Sequence, residues 1–162
     1  KISTILNNIE WKKLSRGISV NFHGDLHFEN IIFSKNKFVL LDWRQDFNEN
    51  LKVGDLYYEL AKIMHGIIVS HERVLRQQFK IKQLNKQSYV DIYISSNYKK
   101  ILKLFEKWII KKKLSLEKVR ILTGIIFLNI APLHHYPYNI FLFKLGKLLT
   151  FNSKNFEIIK KW

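Results

Sequence analysis

The stretch that most constrains the chain runs from Ile18 to Asp42 and reads ISVNFHGDLHFENIIFSKNKFVLLD. Ile18–Phe22 has the alternation of a short strand. Ile31–Phe33 and Phe38–Leu41 are apolar runs on either side of Ser34-Lys35-Asn36-Lys37, which predicts a small hairpin. Between strand and hairpin lies a loop of polar and ionisable residues, His23 to Asn30, and Asp42 closes the last apolar run. A loop between two strands can aim Asp25 at one ligand while Asn30 and Asp42, on adjacent hairpin strands, converge on another.

Charge sharpens this picture. The 162-residue chain carries a formal net charge of +15, yet residues 23–59 hold seven acids against four bases. Carboxylates gathered inside a cationic chain suggest a bound cation. The general basicity is read differently. Only five of the 28 basic residues are Arg (16, 44, 73, 76 and 120), and Ile, Asn, Phe and Tyr are abundant, as in proteins from AT-rich genomes. Nucleic-acid readers favour Arg, whose fork matches phosphate and guanine. We therefore take the lysines as a solvated surface and expect no nucleic-acid partner, a polyanion-binding protein being the minor alternative.

Hydrophobic residues make up 47% and aromatics 14%, enough for a buried core in one domain spanning 1–162. The absence of cysteine excludes a disulfide scaffold and a Cys-ligated zinc site. It is compatible with the reducing cytoplasm, where we place the chain. The longest apolar run, Thr123–Ile130, is broken by Asn129 and followed by Pro132, so no membrane span is expected.

Elsewhere the pattern is helical. Helices are predicted over 1–16, from Asp55 to about Ser70, over 97–110, from Ser115 to before Pro132, and over 139–149, with a tail or short helix at 151–162. A second hairpin is predicted from Phe79–Leu84 and Tyr89–Ile94. Helices 97–110 and 116–130 are assigned to the core. The fold class is α+β, mainly helical.

Phosphoryl transfer needs a carboxylate beside the attacking hydroxyl and oxygen ligands for magnesium. His23-x-Asp25-x-x-x-x-Asn30 has the H-x-D-x-x-x-x-N spacing of a kinase catalytic loop. The bare pattern turns up in roughly one chain of this length per hundred, so the strand before it, the hairpin after it and Asp42 carry the weight. His23-x-Asp25-x-His27 could alternatively be a zinc site, and Trp43, Tyr57 and Tyr58 a cage for a quaternary ammonium group. His65 and His71 are assigned to helix faces without a role.

HGDLHFENIIF, LLDW and GDLYYELA, in that order over residues 18–66, closely resemble the aminoglycoside phosphotransferase and choline kinase family, whose pattern is similar to HGDxHxxN, hDxx and GDxxYDLA. The resemblance implies the C-terminal lobe of a protein-kinase-like fold, with small hairpins near the catalytic loop. It implies Asp25 as catalytic base, Asn30 and Asp42 as Mg²⁺ ligands, and His23 and His27 as cofactor-binding residues that also shape the loop. Asp55 would brace the loop from a helix start. Glu59 stands where the family usually has Asp, a position we read as structural. The segment 132–143, with His134, His135 and Tyr136, would wall the acceptor cleft, or else form a surface turn.

The resemblance also implies an N-terminal lobe with a five-stranded sheet, a phosphate-covering loop and a lysine. Only 17 residues precede the first strand, and no Gly-rich loop occurs. The expectation is a partial chain lacking its nucleotide-binding lobe and inactive alone. In the complete protein it would use ATP or another nucleoside triphosphate to phosphorylate a small-molecule hydroxyl, on a sugar-like acceptor. The alternative is a non-catalytic remnant serving as a binding module.

Overall fold

The computed structural model of the chain describes residues 2–47, 49–76, 78–84, 87–92 and 94–151. The fold is α+β and mainly helical. The first 16 residues form two short helices, α1 (Ile2–Asn7) and α2 (Trp11–Leu14), where one was expected. The break has a local cause. Asn8 and Ile9 donate their amides three residues back, to Ile5 and Leu6, and Trp11 Nε1 also bonds the Leu6 carbonyl at 3.0 Å. These contacts satisfy the end of α1 and stop the helix there.

Strand β1 is only Ser19–Val20, shorter than the 18–22 expected, and pairs antiparallel with β4 (Gly54–Asp55). Its partner allows no more, because Asp55 at once becomes the N-cap of α3 (Leu56–Ile68), accepting the Tyr57 amide at 3.1 Å. The hairpin of β2 (Ile31–Ser34) and β3 (Lys37–Leu40) turns on Lys35 and Asn36 alone, both in the left-handed region at φ 48° and 60°. That is the geometry of a two-residue turn whose twist suits the strands it joins.

The core lies among the helices. On α3 the buried face is Leu60, Ala61, Met64, Ile67 and Ile68, a helical spacing. It packs on α6 (Leu116–Ile130), which in turn packs on α7 (Tyr138–Phe151). Ser115 caps α6 as its sequence suggested, accepting the Lys118 amide at 3.2 Å. Where α6 crosses α7, a Cβ on Gly146 would come within 2.7 Å of the Gly124 carbonyl oxygen, so the two helices meet backbone to backbone.

Helix α5 (Ser96–Lys111) departs from expectation. It buries only Leu102 and Ile109 and leaves Leu104, Trp108 and Ile110 in solvent. Its hydrophobic stripe is wider than the surface α3 and α6 offer it. It is tied to α6 by Arg120, whose guanidinium reaches Glu106 at 2.7 Å.

A short helix, α4 (His71–Leu75), was not foreseen. Its Arg73 folds back to donate to the carbonyls of Ile67 and Ile68, closing the end of α3, and stacks over Tyr98 at 4.1 Å. The second hairpin consists of β5 (Phe79–Leu84) and β6 (Gln87–Ile92). The expected tail at 152–162 lies outside the described residues. Among the described residues no helix is long and apolar enough to cross a membrane.

Candidate active site

The His23–Asn30 loop is held from three sides. Gly24 takes φ +82°, and any Cβ there would come within 2.6 Å of Arg44. Only glycine fits both the conformation and the contact. Its amide donates to Glu59 Oε1 on α3 at 2.9 Å. His23 is buried and spends both ring nitrogens on the backbone: Nδ1 accepts the Asp25 amide at 3.2 Å, which leaves Nε2 to donate to the Leu41 carbonyl at 2.7 Å. This arrangement corrects two expectations. His23 shapes the loop but has no nitrogen left for a cofactor, and the His-x-Asp-x-His zinc reading loses its first ligand.

Asp55 braces a different element from the one expected. It receives the Ile18 amide at 3.0 Å as well as that of Tyr57, so it clamps β1 to the start of α3. Glu59, one turn further along, is the residue that holds the loop itself.

Asp25 is buried and sits between cations. Lys62 Nζ lies 2.5 Å from Oδ1 and Arg44 reaches Oδ2 at 2.9 Å, with His27 Nε2 3.8 Å from Oδ1. Burial pushes the carboxyl up, but Lys62, with His27 and Arg44 behind it, outweighs this and holds it below the usual carboxylate range. Sequence reasoning missed both Lys62 and Arg44. The one available signal for Lys62 was its place three residues after Glu59, on the same side of α3.

Asn30 joins the loop to the hairpin. Its side-chain amide donates to the Asp25 carbonyl at 3.0 Å and lies 3.3 Å from His27 Nε2, while its own carbonyl accepts the Leu41 amide at 2.9 Å. Asp42 follows directly, exposed and in the left-handed region at φ 55°. Among the described residues its carboxylate has no hydrogen bond or ion pair. The Asp42 carboxylate, in a sparsely populated conformation, and the Asn30 side-chain oxygen are hard-oxygen donors of the kind that suits Mg²⁺, an ion that takes few protein ligands and keeps its waters. No group of three or more His, Cys, Asp and Glu able to hold a metal occurs among the described residues.

Beside the loop opens a cleft of about 500 Å³. His27, Phe28 and Glu29 line it from the loop, His65 and Gly66 from α3, Glu72 from α4, and His134 and Tyr138 from the far side. The 132–143 segment thus reaches the cleft through His134 and Tyr138, whereas His135 and Tyr136 point to solvent outside that lining. The segment is free of acids, but the cleft is not, since Glu29 and Glu72 face it. His65 is also more than a helix-face residue. Both its ring nitrogens are shut off from solvent and have no hydrogen-bond partner among the described residues, and it packs on Phe127 at 4.8 Å. Burial first, then Lys62 and His27, lower its pKa to about 3.

The cage reading fails on geometry. Trp43 packs on His23, Tyr57 lies under Lys118 and Tyr58 meets Phe47 edge-on, so the three rings serve three separate contacts.

No curated protein and no solved structure gives a significant match to the chain. A family model does: that of the phosphotransferase enzyme family, over residues 6–85. The match takes in the loop, the hairpin and the whole of α3, the elements that carry HGDLHFEN, LLDW and GDLYYELA. Over those residues the chain is similar to the phosphotransferase enzyme family, in keeping with the aminoglycoside phosphotransferase resemblance of its motifs.

Proposed function

We propose that the chain is the catalytic lobe of a Mg²⁺-dependent phosphotransferase that moves the γ-phosphoryl group of ATP or another nucleoside triphosphate to a hydroxyl of a sugar-like small molecule. The observation that carries this reading is the junction at Asn30. Its side chain is tied to Asp25 and its backbone to Leu41, which gathers Asp25, Asn30 and Asp42 at one end of one hairpin.

In this reading Asp25 orients the acceptor hydroxyl and takes its proton as the oxygen attacks the γ-phosphorus; the bond to the β–γ bridging oxygen breaks and the nucleoside diphosphate leaves. Asn30 and Asp42 would hold the magnesium ion, which supplies charge neutralisation at the phosphates when bound. His23 and Glu59 keep the loop rigid, so that positioning, the main source of catalysis here, is built in before substrate arrives.

The acceptor would enter the cleft beside His27–Glu29. His134 and Tyr138 are suited to hydrogen-bonding hydroxyls and stacking on a sugar ring. Glu29 and Glu72 would also tolerate an amino group on it. The exposed apolar side chains of the hairpin, Ile32, Phe33, Phe38 and Val39, would dock a nucleotide-binding lobe.

The test is a screen of the complete protein with Mg²⁺-ATP against hexoses, sugar phosphates, amino sugars, choline and aminoglycosides. Phosphorylation of a neutral or singly charged sugar supports the proposal. Preferential turnover of a polycationic aminoglycoside would refute the acceptor class, and no transfer to any hydroxyl would refute the activity.

A further inference from the structure

Two cations occupy Asp25 that the family motifs do not require, and they differ in how free they are. Lys62 meets Oδ1 from within the wall of α3, with 12% of its side chain exposed, whereas Arg44 meets Oδ2 with 59% exposed. Both oxygens of the proposed base therefore face a cation in the free protein. Arg44 is anchored at its root. Its amide donates to the His23 carbonyl at 2.9 Å, and its Cβ and Cγ lie over Gly24. Beyond Cγ the side chain is held by its ion pair with Asp25 and is otherwise largely exposed. An ion pair whose cation is largely exposed is exchanged more readily than one buried on both sides. The guanidinium is also a planar fork of five donors that matches phosphate oxygens, and it lies two residues past Asp42.

We propose that Arg44 is a phosphate-gripping arm: it rests on Asp25 Oδ2 while the site is empty and moves to the phosphate oxygens of the donor when that binds. This rests on the phosphotransferase reading. The exchange swaps one ion pair for another and moves no proton. It frees Oδ2 to accept the acceptor hydroxyl, while Lys62 stays on Oδ1 as the positioning residue. The guanidinium is then set where charge develops on the transferred group. The base thus becomes available only once the donor is in place.

The test is a double-mutant cycle on the full chain, reading Mg²⁺-pyrophosphate affinity by calorimetry in wild type, Arg44→Gln, Asp25→Asn and the double variant. Arg44→Gln weakens binding about 10-fold, the loss of a charge-assisted contact. Asp25→Asn tightens binding by releasing the arm, and that gain shrinks in the double variant. Arg44→Lys, a point charge without the fork, recovers only part of the loss. Removing the negative charge of Asp25 would by itself tighten binding equally with or without Arg44. Equal gains, unchanged affinity in Arg44→Gln, or a wild type that binds no pyrophosphate would each overturn the proposal. If it is overturned while the complete protein still phosphorylates an acceptor, the phosphotransferase reading stands. If Arg44-dependent binding is found without transfer to any acceptor, the arm stands and that reading falls.

Discussion

Glu59 accepts the Gly24 amide at 2.9 Å through Oε1, while its buried Oε2 has no hydrogen-bond partner among the described residues. The family pattern has Asp at this position, and the longer side chain spans the gap from α3 to the loop. Removing it strands a buried amide, at a cost of about 1–3 kcal/mol. Glu59→Ala should therefore lower the urea midpoint, with Glu59→Gln less affected because its carbonyl can still accept. Equal midpoints for wild type and Glu59→Ala would show that the bond does not hold the loop.

Asp25→Asn in the complete protein should reduce turnover by about 10²–10⁴-fold, the usual worth of a general base, while Mg²⁺-nucleotide binding persists. Asp42→Ala should instead raise the magnesium requirement as well as slow the reaction. Superimposable magnesium titrations for wild type and Asp42→Ala would remove Asp42 from the metal site.

His65 predicts an acid sensitivity with a defined sign. Its pKa is about 3 in the folded chain against an ordinary 6.5. Between those values the unfolded chain binds the extra proton, so stability falls as pH drops from 6.5, by up to roughly 1.4 kcal/mol per unit. Asp25 acts lower. Its depressed pKa supplies stability above the ordinary value of 3.8, lost only as pH falls through the folded value. His65→Leu should accordingly flatten the denaturation midpoint between pH 6.5 and 4. An unchanged slope in the variant would mean that His65 is protonated in the folded state.

Phe33 and Phe38 face each other across the hairpin at 5.0 Å and are 62% and 73% exposed. Paired aromatics in solvent favour association. Sedimentation of the chain should show concentration-dependent self-association that Phe33→Ser/Phe38→Ser reduces. A monomer at all concentrations would argue against a sticky hairpin face.

What the sequence made legible was local. The cap at Asp55, the cap at Ser115 and the hairpin from Ile31 to Leu40 are each specified by a few neighbouring residues, and each is present. What escaped was set by distance along the chain. Arg44 is 19 residues and Lys62 37 residues from Asp25, and no periodicity reports such a meeting. The same holds for α5: its stripe gives a helix, but how much of the stripe is covered depends on α3 and α6. The burial of His65 against Phe127 escaped for a related reason, because helical spacing gives a face but not what packs on it.

The Lys35-Asn36 turn works as a ruler for the chemistry at the other end of the hairpin. Two residues with positive φ pin Ser34 opposite Lys37, hence Ile31 opposite Leu40, and so bring Asn30 alongside Leu41, just ahead of Asp42. Side chains along a strand alternate between faces. One residue inserted at the turn, if taken up by a register slip, would carry Asp42 to the opposite face. Every site residue would survive in the sequence, yet the proposed metal site of Asn30 and Asp42 would be dismantled from a point four residue pairs away.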